Sequence, residues 1–319
     1  MVEDLGDVHK LGKELGYLPY MIDRYLSLLG EEETINLLSF NETTLAQSIR
    51  LNSLRNPIEK TEELLKQKQV IMEHVKNLPE ARKIIESPIP IGASEEYLNG
   101  YYTLQGLNSL FPSKILNPKE GELIADLAAA PGGKTTHLAQ IMKNKGTIIA
   151  LEISANRCRS LKSNLARMGV ENTIIVNMDA QNIVSLGLKF DKILLDAPCS
   201  GSGIIVTDSS RKSSKTIYDL FNYHKLQVSL LTNAIKVLKN QGEIVYSTCS
   251  LEPEENELVI TEVLKSTSVR IEKMEMVGDN GLERFQTNEF HPDLIKAKRL
   301  YPHKSCGEGF FIVKMVKQE

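Results

Sequence analysis

No stretch of this 319-residue sequence approaches the roughly 20 consecutive apolar residues that a membrane span requires, which excludes a membrane-spanning protein. Its start, Met1-Val2-Glu3-Asp4-Leu5-Gly6-Asp7, has neither an apolar core nor arginines, so no secretory or transit leader is expected and the chain is expected in the cytoplasm. Cysteine is scarce. Cys158, Cys199, Cys249 and Cys306 are too few and too scattered for a disulfide framework, and no two have the CxxC spacing of a zinc site, so no metal is expected. There is no internal repeat and no low-complexity linker. Nor is there an excess of positive charge: 38 Lys and Arg face 41 Asp and Glu, for a net charge of -3, so nothing global marks a nucleic-acid binder. What remains is 41% hydrophobic and 25% charged, the proportions of a globular protein of about two domains.

Local charge says more than the sum. Residues 1–40 carry three basic side chains against eight acidic ones, whereas Lys296, Lys298, Arg299 and Lys304 fall within nine residues that hold no acid. That run is a weak pointer to a polyanion beside its plainer reading as a solvated face. Tyr20–Leu29 places Ile22, Tyr25, Leu26 and Leu29 on one helical stripe, with Pro19 before it and Gly30 after it. Residues 48–55 alternate as a half-exposed strand, residues 57–68 read as a charged helix, and strand and helix continue to about residue 90. Periodicity then fades, which places a division between residues 1–95 and 96–319. Beyond Gly121 the pattern is regular. Strands expected at 122–128, 147–152, 173–178, 191–196 and 243–248 alternate with helices at 134–143, 155–168 and 219–238, and Gly169 and Gly242 stand where helix ends or turns favour glycine. This predicts a doubly wound α/β sheet, in which ligands bind at the carboxyl ends of the strands.

The residues after each expected strand therefore matter most. The first strand leads into Asp126-Leu127-Ala128-Ala129-Ala130-Pro131-Gly132-Gly133-Lys134-Thr135-Thr136, a glycine turn opening a helix whose amides favour an anionic ligand group. A nucleotide-hydrolase loop would need glycine where Ala128 stands, and no GxGxxG fingerprint is present. Glu152, about 20 residues beyond the turn, is placed to accept hydrogen bonds from ribose hydroxyls, while Ser154 suits the N-cap of the next helix. Asp179 ends the third strand and serves equally as a partner for an adenine amino group or as a helix cap. The fourth strand ends in Asp196-Ala197-Pro198-Cys199-Ser200-Gly201 and the fifth in Thr248-Cys249-Ser250, followed by Glu252, Pro253, Glu254 and Glu255, which suit a helix start.

A nucleoside site with two thiols and no metal cluster points to S-adenosylmethionine. Carbon 5 of a pyrimidine is too weak a nucleophile to take a methyl group directly, whereas thiolate addition at carbon 6 makes it an enamine. The thiolate is the reactive form, which a helix start after Cys249 would favour. Asp196 is suited to hold the ring nitrogen and exocyclic amine of a cytosine. Spacing does not choose between Cys199 and Cys249.

At these residues the chain resembles the Sun-type RNA cytosine-C5 methyltransferases, and most their archaeal tRNA-modifying members. Besides the motifs above, the likeness takes in Tyr25-Leu26 with Leu29-Gly30, Ile49 to Leu54, Ile91 to Leu98 and Leu104-Gln105. It implies a Rossmann-like class I methyltransferase domain over residues 96–319 and a smaller α+β RNA-binding region, akin to an RNA-recognition motif, over residues 1–95. It implies that Ala128, Ala129, Ala130, Pro131, Gly132, Gly133, Lys134, Glu152, Arg157, Asp179 and Asp196 line the S-adenosylmethionine site. It further implies Cys249 as the nucleophile, Cys199 as the group that assists adduct breakdown, and structured RNA, foremost tRNA, as the substrate. Ribosomal RNA methylation and a non-catalytic RNA-binding or assembly factor are the alternatives. Ala128 stands where many members have cysteine and Glu152 where many have aspartate. His303 is followed by Ser305-Cys306-Gly307-Glu308-Gly309-Phe310-Phe311 where the family often has Thr-Asp-Gly-Phe-Phe, and Cys306 and Cys158 are read as structural or incidental.

Overall fold

The computed structural model describes residues 2–319, with side chains from Val8 onward. Met1 and the side chains of residues 2–7, which carry the acidic start, lie outside the described residues. Three helices come first, α1 (Val2–Glu14), α2 (Pro19–Leu29) and α3 (Glu31–Asn41). They are followed by β1 (Ser48–Leu51), α4 (Ile58–Gln67), β2 (Ile71–Val75), β3 (Leu78–Glu86), α5 (Glu95–Leu98), β4 (Tyr102–Leu104) and α6 (Phe111–Leu116). The regular alternation is β5 (Leu123–Asp126), α7 (Gly133–Ile141), β6 (Thr147–Leu151), α8 (Ala155–Met168), β7 (Thr173–Val176), β8 (Phe190–Asp196), α9 (Ile217–Val237), β9 (Leu238–Thr248) and α10 (Glu257–Ser266). The chain closes with β10 (Val269–Glu272), β11 (Asp279–Asn280), β12 (Arg284–Phe285), β13 (Asn288–Glu289), β14 (Lys298–Leu300), α11 (Pro302–Ser305) and β15 (Phe310–Lys317).

Packing sorts these elements into two compact units along other lines than a division by role at residue 95. One unit gathers Ala46–Asp196, Asn233–Tyr246 and Val316–Glu319. Its main sheet has the order β7-β6-β5-β8-β9, with β5 parallel to both β6 and β8 and β6 parallel to β7. The strand order thus reverses at β5, and the crevice outside the ends of β5 and β8 is the switch point where such sheets hold ligands. A second sheet, β2-β3-β1-β4, pairs β1 antiparallel to β3 and β4 and β2 antiparallel to β3. Ile49, Leu51, Leu65, Ile84 and Tyr102 fill its core, so strand β4 completes this sheet beyond residue 95.

Arg50 of β1 ties this second sheet to α7. Its guanidinium is fully buried and donates to Gln105 Oε1 at 3.0 Å, to Thr136 Oγ1 at 2.6 Å and to Gln140 Oε1. The expected strand over 48–55 stops at Leu51, because the Asn52 side chain leaves the sheet and its amide donates to Gly100 O and Met168 O, both at 2.8 Å. Gly242 lies inside β9 rather than at a helix end or turn. A Cβ there would stand 2.8 Å from Lys239 O and 2.9 Å from Asp191 O, so backbone approach is what requires glycine.

The other unit gathers Met1–Leu45, Ala197–Thr232 and Ser247–Met315. Val8, Tyr17, Met21, Ile22, Tyr25, Leu37 and Leu38 of its helices pack with Ile205, Leu251 and Tyr301. Strands β11, β14 and β15 form its antiparallel ladder. Here the run from Lys296 to Lys304 loses its character as a free basic patch. Arg299 is buried in an ion pair with Glu257, Lys296 pairs with Asp293 at 2.8 Å, Lys298 donates to Asn280 at 2.9 Å, and Lys304 reaches Asp279 and Glu33. Glu257, Asp279 and Glu33, distant in sequence, have come alongside it, which the local count could not register.

Two measurements test this packing. Arg299 donates to Glu257 Oε1 at 2.7 Å, to Glu257 Oε2 at 2.5 Å and to Leu251 O at 2.9 Å. Arg299→Ala strands a buried carboxylate and is expected to cost about 3–5 kcal/mol in urea unfolding, and the pair Arg299→Met with Glu257→Leu is expected to recover most of that loss. In the other unit, His137 of α7 is buried with Nε2 at 3.0 Å from Glu80 Oε1, and burial pushes the imidazole down to about 4. Because the folded state resists the proton that the unfolded chain accepts near 6.5, stability on the order of 3 kcal/mol is present above pH 6.5 and is lost as the pH falls toward 4. Urea midpoints measured across that window are expected to slope upward with pH, and less so in His137→Gln.

Candidate functional site

The cofactor-site residues of the sequence reading all lie in the unit built on the parallel sheet. The turn after β5 is held on both sides, since Leu127 N donates to Leu194 O of β8 and Ala129 N to Leu151 O of β6, each at 3.0 Å. Gly132 caps α7 at φ +106°, and a Cβ there would meet Leu161 Cδ1 at 2.9 Å. Only glycine lets the turn lie this close to α8. The helix start then aims the first amides of α7 outward from the strand end, as an anionic ligand group requires. Asn164 Nδ2 donates to Pro131 O at 2.8 Å and Arg157 Nη2 to Ala130 O at 2.5 Å, so α8 clamps the turn.

Arg157 also sets the acid at the end of β6. Glu152 is buried, accepts the Ser154 N–H at 2.9 Å, and has its other oxygen 3.3 Å from Arg157 Nη1. Ser154 caps α8, as its sequence position implies, accepting from Arg157 N. Asp179 caps the turn after β7 and accepts from Gln181 through both oxygens, at 2.9 and 3.1 Å. At the switch point Lys134 Nζ donates to Asp196 Oδ2 at 2.6 Å, joining the first residues of α7 to the end of β8. The clamped turn, a carboxylate at the end of β6 and a second at the end of β8 are a donor and acceptor set that fits a nucleoside with a charged amino-acid tail. Ala128 lends only backbone to this arrangement, so its departure from cysteine changes nothing in it.

Asp126 is a member of the site to which sequence reasoning gave no role. It is buried at the end of β5, accepts Thr135 Oγ1–H at 2.7 Å, and burial pushes its carboxyl up to about 6. An acid at the last position of an otherwise apolar strand was the signal available.

The two thiols lie in the other unit. Cys199, three residues after Asp196, and Cys249, at the end of β9, stand with their sulfur atoms 3.4 Å apart. Fifty residues separate them in sequence, so this approach is a product of the fold. Ala197 N donates to Ser247 O at 2.8 Å and Gly203 N to Cys249 O at 2.9 Å, which fastens one thiol-bearing segment to the other. The helix expected directly after Cys249 is interrupted: Pro253–Glu255 forms a single 3-10 turn, Asn256 breaks the geometry at φ -120° and ψ -97°, and α10 begins at Glu257. The acids read as helix-start residues are buried instead. Glu252 accepts from Arg24 Nε at 2.5 Å, Glu254 accepts from Arg24 Nη2, and Glu255 accepts from Ser200 and Ser250. Burial pushes the Glu255 carboxyl up to about 7. Cys158, inside α8, donates weakly to Glu152 O at 3.5 Å, and Cys306 is exposed beside α11; neither joins the thiol pair.

Comparison with known proteins places this arrangement. Residues 113–316 match the family described as 16S rRNA methyltransferase RsmB/F. The chain is 38% identical over 307 residues to a 28S rRNA (cytosine-C(5))-methyltransferase of Mus musculus, covering 94% of this chain and 39% of that protein. It is 32% identical over 299 residues to a tRNA (cytosine(49)-C(5))-methyltransferase of Pyrococcus abyssi, covering 93% of this chain and 95% of that one. The chain spans about two fifths to one half of the length of several of the relatives it matches, the mouse protein among them. Among solved structures, a methyltransferase homolog protein from Pyrococcus horikoshii superposes with a TM-score of 0.90 at 38% identity, covering 98% of this chain and 99% of that one. NSun6 from Pyrococcus horikoshii, solved with SFG, gives a TM-score of 0.83 at 28% identity over 93% of this chain and 97% of that one. With the motifs, the parallel sheet and these likenesses in agreement, the chain belongs to the RsmB/F methyltransferase family and has the class I fold of S-adenosylmethionine-dependent methyltransferases.

Proposed function

We propose that the chain transfers a methyl group from S-adenosylmethionine to carbon 5 of a cytosine in structured RNA, foremost tRNA, through a covalent adduct between Cys249 and carbon 6. The observation that carries this reading is the 3.4 Å approach of the Cys199 and Cys249 sulfurs, since one thiol suffices for packing and two in contact suit a step that forms a thioether and a step that breaks it. S-adenosylmethionine, when bound, supplies a methyl group activated by its sulfonium. Glu152 holds the ribose hydroxyls, Asp179 meets the adenine, and the turn from Ala128 to Lys134, steadied by Arg157, receives the amino-acid tail.

Asp196 holds the ring nitrogen and exocyclic amine of the cytosine, with Lys134 fixing its carboxylate. The Cys249 thiolate adds to carbon 6, and the electron pair of the carbon 5–carbon 6 double bond becomes available at carbon 5 for methylation. Cys199 then assists removal of the carbon 5 proton. Its electron pair restores the double bond as the Cys249 sulfur departs from carbon 6. The target base must leave its stack to be reached, which costs a few kcal/mol in a paired region and less in an irregular one.

The region up to residue 95 serves as the RNA-binding part in this reading, supported by its strands β1, β2 and β3, which form a four-stranded antiparallel sheet with β4 from beyond residue 95. Support for tRNA comes from the P. abyssi relative, which this chain matches over nearly the whole length of both. The ribosomal reading draws on the 38% identity to the mouse relative.

Purified protein incubated with labelled S-adenosylmethionine is expected to label unmodified tRNA rather than ribosomal RNA, with 5-methylcytidine mapped by sequencing. Cys249→Ala is expected to abolish labelling, and Cys199→Ala to accumulate a covalent RNA adduct on denaturing gels. Labelling that survives Cys249→Ala overturns the assignment of the nucleophile. Glu152→Gln removes a charged acceptor worth about 1.5–3 kcal/mol, so its dissociation constant for S-adenosylmethionine in calorimetric titration is expected to rise about tenfold or more.

A further inference from the structure

Four carboxylates follow Cys249 closely, and three of them turn to arginine: Glu252 and Glu254 to Arg24, Glu257 to Arg299. Glu255 turns the other way. Fully buried, it accepts the Ser200 N–H at 2.8 Å through Oε1 and the Ser200 hydroxyl at 2.5 Å through Oε2, and the same Oε2 accepts the Ser250 hydroxyl. Ser200 directly follows Cys199 and Ser250 directly follows Cys249. The two hydroxyl oxygens are 3.1 Å apart, and Gln227 Nε2, which donates to Pro198 O at 2.8 Å, stands 3.4 Å from Glu255 Oε1.

We infer that Glu255 is a positioning residue that sets the spacing of the two thiols, by gripping the residue next to each cysteine with one carboxylate. A buried carboxylate costs several kcal/mol to desolvate and is held here by donors from both thiol-bearing segments, so apolar packing alone would have been served by a smaller, uncharged side chain. Because consecutive Cα atoms are 3.8 Å apart at fixed peptide geometry, anchoring Ser200 and Ser250 leaves each cysteine little freedom beyond its own side-chain rotation. Displacement of a reacting group by about 1 Å can cost about a hundredfold in rate, so the grip bears on catalysis as well as on folding. The consequence for catalysis rests on the function proposed above, whereas the spacing of the thiols does not.

The test uses the full chain carrying Cys158→Ala and Cys306→Ala, so that Cys199 and Cys249 are the thiols that remain. Dibromobimane, which fluoresces strongly once it bridges two thiols, reads their spacing without RNA or cofactor. Glu255→Ala is expected to slow bridging at least tenfold while melting cooperatively and while both thiols still react with iodoacetamide. Glu255→Gln is expected to fall between, since one amide oxygen still accepts. In labelling assays Glu255→Ala is expected to lower kcat about ten- to a hundredfold with KM for S-adenosylmethionine unchanged. Should Glu255→Ala not fold, Ser200→Ala combined with Ser250→Ala removes the hydroxyl donors and is expected to slow bridging likewise. Bridging at the parent rate in a folded Glu255→Ala protein, or in the double serine variant, overturns the inference. Bridging that depends on Glu255 in a protein that methylates no RNA would leave the inference standing and sink the proposed function alone.

Discussion

The burial of Glu252, Glu254, Glu255 and Glu257 directly after Cys249 is the constraint on which the arrangement of the thiols depends. Each of these residues is less than a tenth exposed. An ionised carboxylate withdrawn from water costs several kcal/mol unless donors replace its hydration, so the fold must bring donors to this one short segment. They come from far along the chain: Arg24 from α2, Arg299 from β14, and Ser200 from the loop after β8. The three leading helices, the Cys199 loop and the C-terminal ladder are drawn together for this reason as well as by the apolar contacts of Tyr25, Leu251 and Tyr301. Of the four, Glu255 takes its donors from the serines that follow the two cysteines.

The parallel-sheet unit obeys a different logic, that of topology. Reversal of strand order at β5 opens a crevice, and the residues that reach it do so because they terminate strands. Asp126, Glu152 and Asp196 end β5, β6 and β8 or follow them immediately, and each is held by a donor at the start of a neighbouring helix, Thr135, Ser154 or Lys134. Arg50 of β1 donates to Thr136 and Gln140 of α7, and Gln140 in turn donates to Leu51 O, which fastens α7 to the β2-β3-β1-β4 sheet.

Much of this was legible beforehand where the information is local. Helix α8 ends where Ser154 and Gly169 place its caps, and the expected parallel strands match their observed counterparts to within a few residues, except that β9 starts earlier. The capping roles of Ser154 and Asp179 follow from side chains that reach no further than three residues. Local reading misled where a side chain found a partner far away. Lys296 to Lys304 resembled a free basic run, yet Arg299 is spent on Glu257 and Lys304 on Glu33 and Asp279. Glu252 and Glu254 resembled helix-start acids until Arg24, more than two hundred residues earlier, claimed them.

By itself, then, the sequence determined the alternation of strands and helices, the glycine turn at its required positive φ, and the chemical identity of the groups at the strand ends, because periodicity, caps and turns act over a few residues. Tertiary structure alone decided which groups meet. The 3.4 Å contact of Cys199 with Cys249, the Lys134–Asp196 bond and the grip of Glu255 on two serines join residues 50 to 62 positions apart, or 5 and 55 in the case of Glu255. No local pattern encodes such separations; they are set by strand order and by the need of every buried charge for a donor.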